Sequence, residues 1–248
     1  MSKKRNHAVL LLFVVILTGV ACNIGVRAIQ GSGNLVTETR QVSDFDSIAL
    51  SGSGQVIITQ GGSESLSIET DDNVIEYVKS EVEDGTLKLG LVTGNQTGVN
   101  IQSTSRLVFY VGVDDLTRLS TAGSGEITAD RIETSRLDLA VSGSGDIQIA
   151  EFSVSQVQAN ISGSGRIDLA GGANLQNVNI SGSGTYQAGD LCGESVQVSV
   201  SGSGSATVCA TETLDADVSG SGAVNYYGNP SIHISDSGSG KINSLGDK

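Results

Sequence analysis

The chain has 248 residues and a formal net charge of −13, and it contains 33 Gly, one Pro and no Trp. Abundant Gly with so little Pro excludes collagen-like and Pro-rich linker proteins and favours a turn-dense, β-rich protein. The length suits one large domain, because repeat architectures commonly run this long as a single unit.

The first 21 residues have the layout of a signal peptide. Three cations at positions 3–5 precede an apolar run over residues 8–17, and small residues then lead to Cys22. The apolar run is short for a transmembrane span, and the four residues ending at Cys22 resemble a lipobox, in which the Cys becomes the lipidated first residue after cleavage. Gly19 stands where the lipobox usually has Leu. We expect a lipid on Cys22, with ordinary cleavage nearby and an uncleaved anchor as the alternatives.

Cleavage before Cys22 would leave 11 cationic against 27 acidic side chains, a net charge of −16. Such a surface argues against a nucleic-acid partner, because phosphate backbones are bound by clustered cations. The segment 22–41 is predicted to be a tether between the lipid and the folded domain. The sequence therefore indicates an exported protein of the cell envelope, held by its lipid on the extracytoplasmic side of a membrane.

Residues 55–121 are predicted to be an irregular region that caps the N-terminal end of the domain. A short helix is expected there, with Asp71 or Asp72 as its N-cap and an apolar face from residues 74–78. Residues 91–105 form a polar loop in this interpretation. The predicted short strands of the region cover residues 56–58, 66–68, 87–89 and 107–111.

The strongest signal is a Ser-Gly-Ser-Gly unit that recurs about every 20 residues. From the variant unit at Ala122 onward, the steps between units are 20, 20, 19, 20, 18 and 18 residues. A nearly constant period of this length is typical of a solenoid in which each repeat makes one coil. We therefore predict an all-β parallel solenoid over residues 42–245, regular over 116–245. The units begin at Ser51, Ala122, Ser142, Ser162, Ser181, Ser201, Ser219 and Ser237.

The residues around each unit alternate strictly between apolar and polar. From Leu137 onward, the odd positions carry aliphatic residues and the two glycines, whereas the even positions are mostly polar or small. This period of two predicts long strands whose odd positions face the interior, which a flexible Gly/Ser linker would not show. We expect both glycines of each unit to face inward at a narrow corner and both serines to form outward rows.

Several short motifs precede or belong to the coils: Phe45-Asp46-Ser47-Ile48, Gln60-Gly61-Gly62, Asp72-Asn73, Asp84-Gly85-Thr86-Leu87 and the repeated Gly-x-Ile. Together they resemble the head GIN domain family, over roughly residues 42–245. The resemblance implies a right-handed parallel β-helix similar to the pectin-lyase architecture but without its catalytic residues, and an adhesin-like role. The Gly-Ile-Asn triplet itself is absent, and Gly125-Glu126-Ile127 is one of its equivalents.

The position after each unit offers the best candidates for acid–base chemistry. Glu126 and Asp146 follow consecutive units, and Arg166 follows the next one. Paired carboxylates on neighbouring coils could serve a polysaccharide lyase or hydrolase, which is the alternative function. A solvated charge ladder is the commoner role of such a cluster, with the cation offsetting repulsion between the acids, so no catalytic residue is predicted. Surface contact with a ligand is the other role considered for these three residues. His233, on an outward strand position, has no activated serine to form a triad, and neither a metal site nor a cofactor is expected.

Cys192 and Cys209 lie in consecutive predicted coils. Adjacent coils bring Cα atoms to about 5 Å, which is within the range that a disulfide spans. With Cys22 assigned to the lipid, the remaining cysteines pair evenly, as an oxidising compartment allows. A structural disulfide is therefore predicted, and free buried thiols are the alternative.

The predicted function is adhesion or ligand binding by an anchored scaffold. Repeated polar columns can engage an envelope polymer, a glycan or a surface protein by many weak contacts that add up to avidity. Few aromatic residues fall on the outward phase, which counts against a sugar ligand, and the serine rows lack the Thr methyls that ice-binding solenoids use. One outward row is predicted to contain Thr128, Gln148, Asp168, Gln187, Thr207, Asn225 and Asn243.

Overall fold

A computed structural model describes residues 27–92, 99–103 and 106–248 of the chain. The predicted signal peptide and Cys22 lie outside these residues, as does most of the predicted loop 91–105. One 3-10 turn spans Ile75–Tyr77. The strands are β1 (Arg27–Gln30), β2 (Leu35–Arg40), β3 (Ser47–Gly52), β4 (Gln55–Gln60), β5 (Ser65–Asp71), β6 (Val78–Glu83), β7 (Thr86–Leu91), β8 (Val99–Ser103), β9 (Leu107–Val113), β10 (Arg118–Gly123), β11 (Glu126–Gly143), β12 (Asp146–Gly163), β13 (Arg166–Gly182), β14 (Thr185–Gly202), β15 (Ser205–Gly220), β16 (Ala223–Tyr227), β17 (Ser231–Asp236) and β18 (Lys241–Ser244).

The long strands β11 to β15 each form one coil of a β-solenoid of about six turns. Successive coils pair in parallel along almost their whole length, as between Glu126↔Asp146 and Gly143↔Gly163. All the pairings from β10 to β18 are parallel, which confirms the coils predicted for residues 116–245. The repeat period therefore corresponds to one circuit of the coil.

Aliphatic side chains at alternate positions fill the interior of the solenoid. Leu139, Ile147 and Ile167 are fully buried, as the period of two predicted. Because like positions stack from coil to coil, these side chains form continuous apolar columns along the axis. Burial of this surface stabilises the fold by about 25 cal/mol per Å² removed from water.

The Ser-Gly-Ser-Gly units form one corner of every coil. Gly163 has φ +121°, and a Cβ on it would lie 2.4 Å from the carbonyl oxygen of Gly143 in the preceding coil. Gly165 is buried, and a Cβ there would meet Val141 Cγ1 at 2.4 Å. The expectation that both glycines face inward is wrong for the first of each pair: the chain turns there at positive φ, so that glycine lies on the outside of the corner. Both serines are exposed, as predicted.

The N-terminal end of the solenoid is built from an excursion of the chain. Strands β3 and β4 stack directly against β10 and β11, with Ser47 beside Arg118 and Gln55 beside Glu126. The intervening residues place β7 beside β3 and β9 beside β4, both in parallel, and β6 and β5 then cover these strands in antiparallel pairs. The region predicted to be irregular thus continues the ladder before it ends the sheet with antiparallel strands.

Two local predictions at this end are wrong. The expected helix is a single 3-10 turn without a side-chain cap. Of the two predicted caps, the Asp71 carboxylate instead accepts the Gly33 N–H at 2.7 Å and the Asp72 carboxylate accepts the Ser32 hydroxyl at 2.5 Å. The predicted tether 22–41 does not remain outside the domain, because β2 pairs antiparallel with β5. Arg40 on β2 also donates to the carbonyl oxygen of Val78 at 2.6 Å, which ties this strand to the cap.

A buried polar group interrupts one aliphatic column. Gln176 lies between Val157 and Val196 in the stack and is fully buried. Its Nε2 donates to the Leu191 carbonyl oxygen at 2.7 Å, where β14 bulges, and its Oε1 accepts from the Tyr186 hydroxyl at 3.1 Å. Burial raises the pKa of Tyr186 far above its ordinary value. The glutamine therefore satisfies a carbonyl that the bulge leaves without a ladder partner.

The C-terminal end of the solenoid is open. Ile232 and Ile234 on β17 stack over the buried Leu214 and Ala216 of β15. Within the described residues no further strand covers them, and 37% and 57% of their respective surfaces are exposed. The apolar columns thus end at the surface here, in contrast to the covered N-terminal end.

Candidate functional site

One wall of the solenoid carries an uninterrupted row of outward side chains, which we call the amide–hydroxyl row. Its members occupy matched positions on neighbouring strands, so the row runs from the cap to the last coil over roughly 50 Å at ~4.8 Å per strand. It consists of Thr39, Ser67, Tyr110, Ile57, Thr128, Gln148, Asp168, Gln187, Thr207, Asn225 and Asn243.

The sequence predicted the part of this row from Thr128 to Asn243, and the register confirms it. It did not predict the extension through Ile57, Tyr110 and Ser67, which antiparallel and long-range pairings bring into line. Asp168 is the one carboxylate in the row, which contains no Lys, Arg or His, although the whole chain has a net charge of −13. The row therefore presents amides and hydroxyls rather than charge.

A second row lies beside the first and contains the three predicted ligand contacts. Glu126, Asp146 and Arg166 occupy the same position on consecutive coils, as expected. Gln55 Nε2 donates to Glu126 Oε2 at 3.3 Å, and in the described part of the chain Arg166 forms no ion pair with either acid. The structure thus places these three charged residues side by side in a surface row on consecutive coils.

Neither His233 nor a metal cluster adds catalytic machinery in the described residues. His233 Nδ1 lies 3.3 Å from Asp215 Oδ1, and 75% of the histidine side chain is exposed. No group of three His, Cys, Asp or Glu side chains among these residues is arranged to hold a metal ion. The described histidine is therefore an exposed side chain beside an aspartate of the neighbouring strand.

The sequence over residues 44–230 matches the model of a family described as "Putative auto-transporter adhesin, head GIN domain". The chain belongs to the head GIN domain family. Among curated proteins, none matches it. Within the described residues, no helix is long and apolar enough to cross a membrane.

This head GIN domain is similar to several solved bacterial structures. A "putative adhesin" from Bacteroides fragilis is 28% identical over 88% of this chain and 100% of its own, with a TM-score of 0.79. A "putative lipid binding protein" from Parabacteroides distasonis is 27% identical with the same coverage and a TM-score of 0.76. A "putative adhesin" from Parabacteroides distasonis supports the fold. It is 23% identical over 88% of this chain and 100% of its own, with a TM-score of 0.70. The family description and the Bacteroides fragilis relative support an adhesion-like role at a cell surface.

A disulfide joins two coils of the head GIN domain. Cys192 and Cys209 are bonded, with their Cα atoms 4.5 Å apart. The bridge lies beside the bulge in β14, where the register of the ladder shifts. It therefore fastens β14 to β15 at a point where the backbone pairing is interrupted.

An acidic hollow of about 640 Å³ lies at the N-terminal end of the domain. Turns that are distant in sequence supply its carboxylates, and no repeat pattern brings them together. The Glu64 carboxylate is already occupied, because it accepts the N–H groups of Asp44 and Phe45 at 2.8 and 2.9 Å. The acids of the hollow are Asp44, Asp46, Glu64, Asp84, Asp114 and Asp115.

A neutral groove of about 410 Å³ lies at the cap end of the amide–hydroxyl row. Thr39, Ser67, Tyr110 and Ile57 line it side by side, from four neighbouring strands. The segment 107–111 is hydrophobic throughout, and Val108, on the same phase of the strand as Tyr110, is buried, so its sequence does not indicate that Tyr110 faces outward. The pairing that surrounds it with hydroxyls is not visible in the sequence.

Proposed function

We propose that this protein is an exported scaffold, anchored to a membrane by a lipid on Cys22, that adheres to another surface through the amide–hydroxyl row. The observation that carries the proposal is the continuity of that row along the whole solenoid. Each side chain makes a weak contact, but a rigid ladder presents many of them at a fixed spacing, and linked weak contacts give avidity.

The chemistry of the row favours an extended and largely uncharged partner. Amides and hydroxyls offer donors and acceptors without the desolvation cost of buried charges. The adhesin-like relative agrees with a binding role, and neither the family description nor this relative supports the lyase or hydrolase alternative. An envelope polymer, glycan or surface protein of low charge is the proposed partner class, and the scaffold is proposed to be non-catalytic.

Adhesion can be tested with two matched pairs of substitutions. Gln148→Lys with Gln187→Lys places two long cations in the amide–hydroxyl row, whereas Gln158→Lys with Gln197→Lys changes the charge equally on another wall. We expect the purified wild-type protein to bind to envelope fractions of its host cell. The first pair of substitutions should lower the affinity by about tenfold or more, and the second pair should leave it nearly unchanged. Equal losses for both pairs would contradict a role for this row.

The anchor is tested separately by Cys22→Ser. We expect a fatty acid analogue to label the wild-type protein in cells and the variant to lose both the label and its sedimentation with membranes. Labelling that persists in the variant, or membrane association of an unlabelled wild type, would contradict the lipid anchor and leave the adhesion test unaffected.

A further inference from the structure

The cap end of the amide–hydroxyl row differs from the rest of the row in forming a concave site. Strands β2, β5, β9 and β4 are neighbours there, and their outward residues Thr39, Ser67, Tyr110 and Ile57 stand in one line. The remainder of the row lies on the regular coils, where each strand repeats its neighbour. The groove is therefore a local feature of the cap.

A glycine forms the floor of the groove. Gly112 lies between Thr59 on one side and Ser65 on the other. A Cβ at position 112 would lie 2.4 Å from Ser65 Oγ and 2.9 Å from the Ser63 carbonyl oxygen. The absence of a side chain there leaves open the space between the hydroxyls and Tyr110.

The groove has no ionised side chain in its lining, although the protein is strongly acidic. At its rim, Arg106 Nε pairs with Glu69 Oε1 at 2.7 Å, and Arg106 Nη2 donates to the Tyr110 hydroxyl at 3.2 Å. This arrangement neutralises the guanidinium and fixes the tyrosine ring. A charged ligand would find no opposite charge in the groove, so a neutral ligand fits its electrostatics best.

The lining combines free hydroxyls with apolar surface. Within the described residues, the hydroxyls of Thr39, Thr59, Ser65 and Ser67 make no hydrogen bond to the protein. The ring of Tyr110 and the side chain of Ile57 supply apolar contact between them. Binding pockets typically pair apolar and aromatic surface with a few polar groups that fix orientation, and tyrosine serves ligands that have both C–H and hydroxyl surface.

We propose that this groove binds a sugar unit of a neutral polysaccharide whose chain continues along the amide–hydroxyl row. A neutral pyranose has an apolar C–H face for Tyr110 and Ile57 and hydroxyls for the surrounding serines and threonines. The inference rests on the proposed adhesive function and names the class of its ligand. The sequence-based argument against sugars was that few aromatic residues face outward, and Tyr110 is one such residue.

The test measures saturation transfer from the protein to soluble oligosaccharides by NMR. The probes are hexamers of glucose, mannose, galactose and xylose, with hexagalacturonate as the acidic comparison. We expect transfer to at least one neutral hexamer and little to hexagalacturonate. Tyr110→Ala should weaken binding roughly tenfold, Ser67→Ala severalfold, and Tyr227→Ala, which changes a half-buried tyrosine at the far end, should leave it unchanged.

Each outcome decides between the groove and the row. No transfer to any neutral hexamer, stronger transfer to hexagalacturonate, or full binding by folded Tyr110→Ala would overturn the groove proposal. If Tyr110→Ala does not fold, an unchanged affinity of Ser67→Ala serves as the refuting result. Adhesion to envelope fractions that survives loss of the groove but fails in the Gln148/Gln187 variant leaves the row in place. If a neutral hexamer binds to the groove but the Gln148/Gln187 variant adheres as well as the wild type, the groove proposal stands and the adhesive role of the row is contradicted.

Discussion

The hydroxyl of Tyr186 is predicted to stabilise the solenoid from within its core. Tyr186→Phe keeps the ring and its packing but removes the donor to Gln176 Oε1, at 3.1 Å in a fully buried position. The variant therefore loses one hydrogen bond and leaves one amide oxygen without a partner away from water. The free energy of unfolding should fall by about 1–3 kcal/mol.

The same substitution should change the response to alkaline pH. Burial raises the pKa of Tyr186 above its ordinary value of 10.0, because the interior disfavours the phenolate. The stability that this group contributes is fully present below that ordinary pKa and is lost as the pH rises above it, since the unfolded chain releases the proton first. The wild type should therefore lose stability more steeply than Tyr186→Phe above about pH 10.

Urea unfolding followed by circular dichroism measures both effects, at neutral pH and at about pH 11. The double variant Gln176→Leu with Tyr186→Phe is a useful comparison. It removes the unpaired Gln176 Oε1 but leaves the Leu191 carbonyl oxygen without its donor, so a similar loss of stability is expected. A change below about 0.5 kcal/mol at neutral pH, well under the cost of an unsatisfied buried acceptor, would refute the reasoning. If the free energy of unfolding falls equally with pH in the wild type and in Tyr186→Phe, the predicted effect of Tyr186 ionisation is refuted.

Three further predictions follow from the coil geometry. Gly163→Ala should lower the free energy of unfolding by about 2–5 kcal/mol in urea, since its Cβ meets a carbonyl oxygen at a positive φ; a near-neutral result would contradict the corner geometry. Reduction of Cys192–Cys209, which closes a separation of 17 residues, should cost about 3 kcal/mol, whereas Cys192→Ser with Cys209→Ser should be insensitive to reductant. Glu126→Gln with Asp146→Asn should change stability by less than about 1 kcal/mol, and polysaccharide cleavage by the wild type that disappears in this variant would instead support an enzyme.

The regular coils could be predicted from the sequence because their information is local. The period of the Gly-Ser units gives the coil length, and the alternation around residues such as Leu139 and Ile147 gives the side that faces inward. Stacking then places equivalent residues in register without further information, which is why the row from Thr128 to Asn243 was predicted correctly.

The cap could not be predicted in the same way because its contacts are non-local. Ser47 pairs with Arg118, at a separation that reflects the length of the excursion rather than any repeat. The antiparallel pairing of β2 with β5 depends on the same excursion, so the residues assigned to a tether became a strand. The groove around Tyr110 and the acidic hollow arise from these pairings and were missed for the same reason.

At the corner glycines, the alternation of the sequence does not predict correctly which side of the strand each residue faces. A strict period of two assigns Gly163 and Gly165 to the same side, yet only Gly165 is buried. A residue at positive φ leaves the extended conformation on which the period depends, so one turn displaces it to the surface. Apolar residues on either side resume the alternation because the turn inserts no extra residue.

The open C-terminal coil gives the solenoid a direction in which it should fray. Every inner coil has hydrogen-bonded neighbours on both sides, whereas β17 is bonded on one side only and its Ile232 and Ile234 remain partly hydrated. In a one-dimensional stack, local opening begins where a neighbour is missing and proceeds inward. Amide hydrogen exchange should therefore be fastest in the terminal strands β17 and β18 and slower in β16 and β15, and the Cys192–Cys209 bridge should slow it further beyond the boundary between β15 and β14.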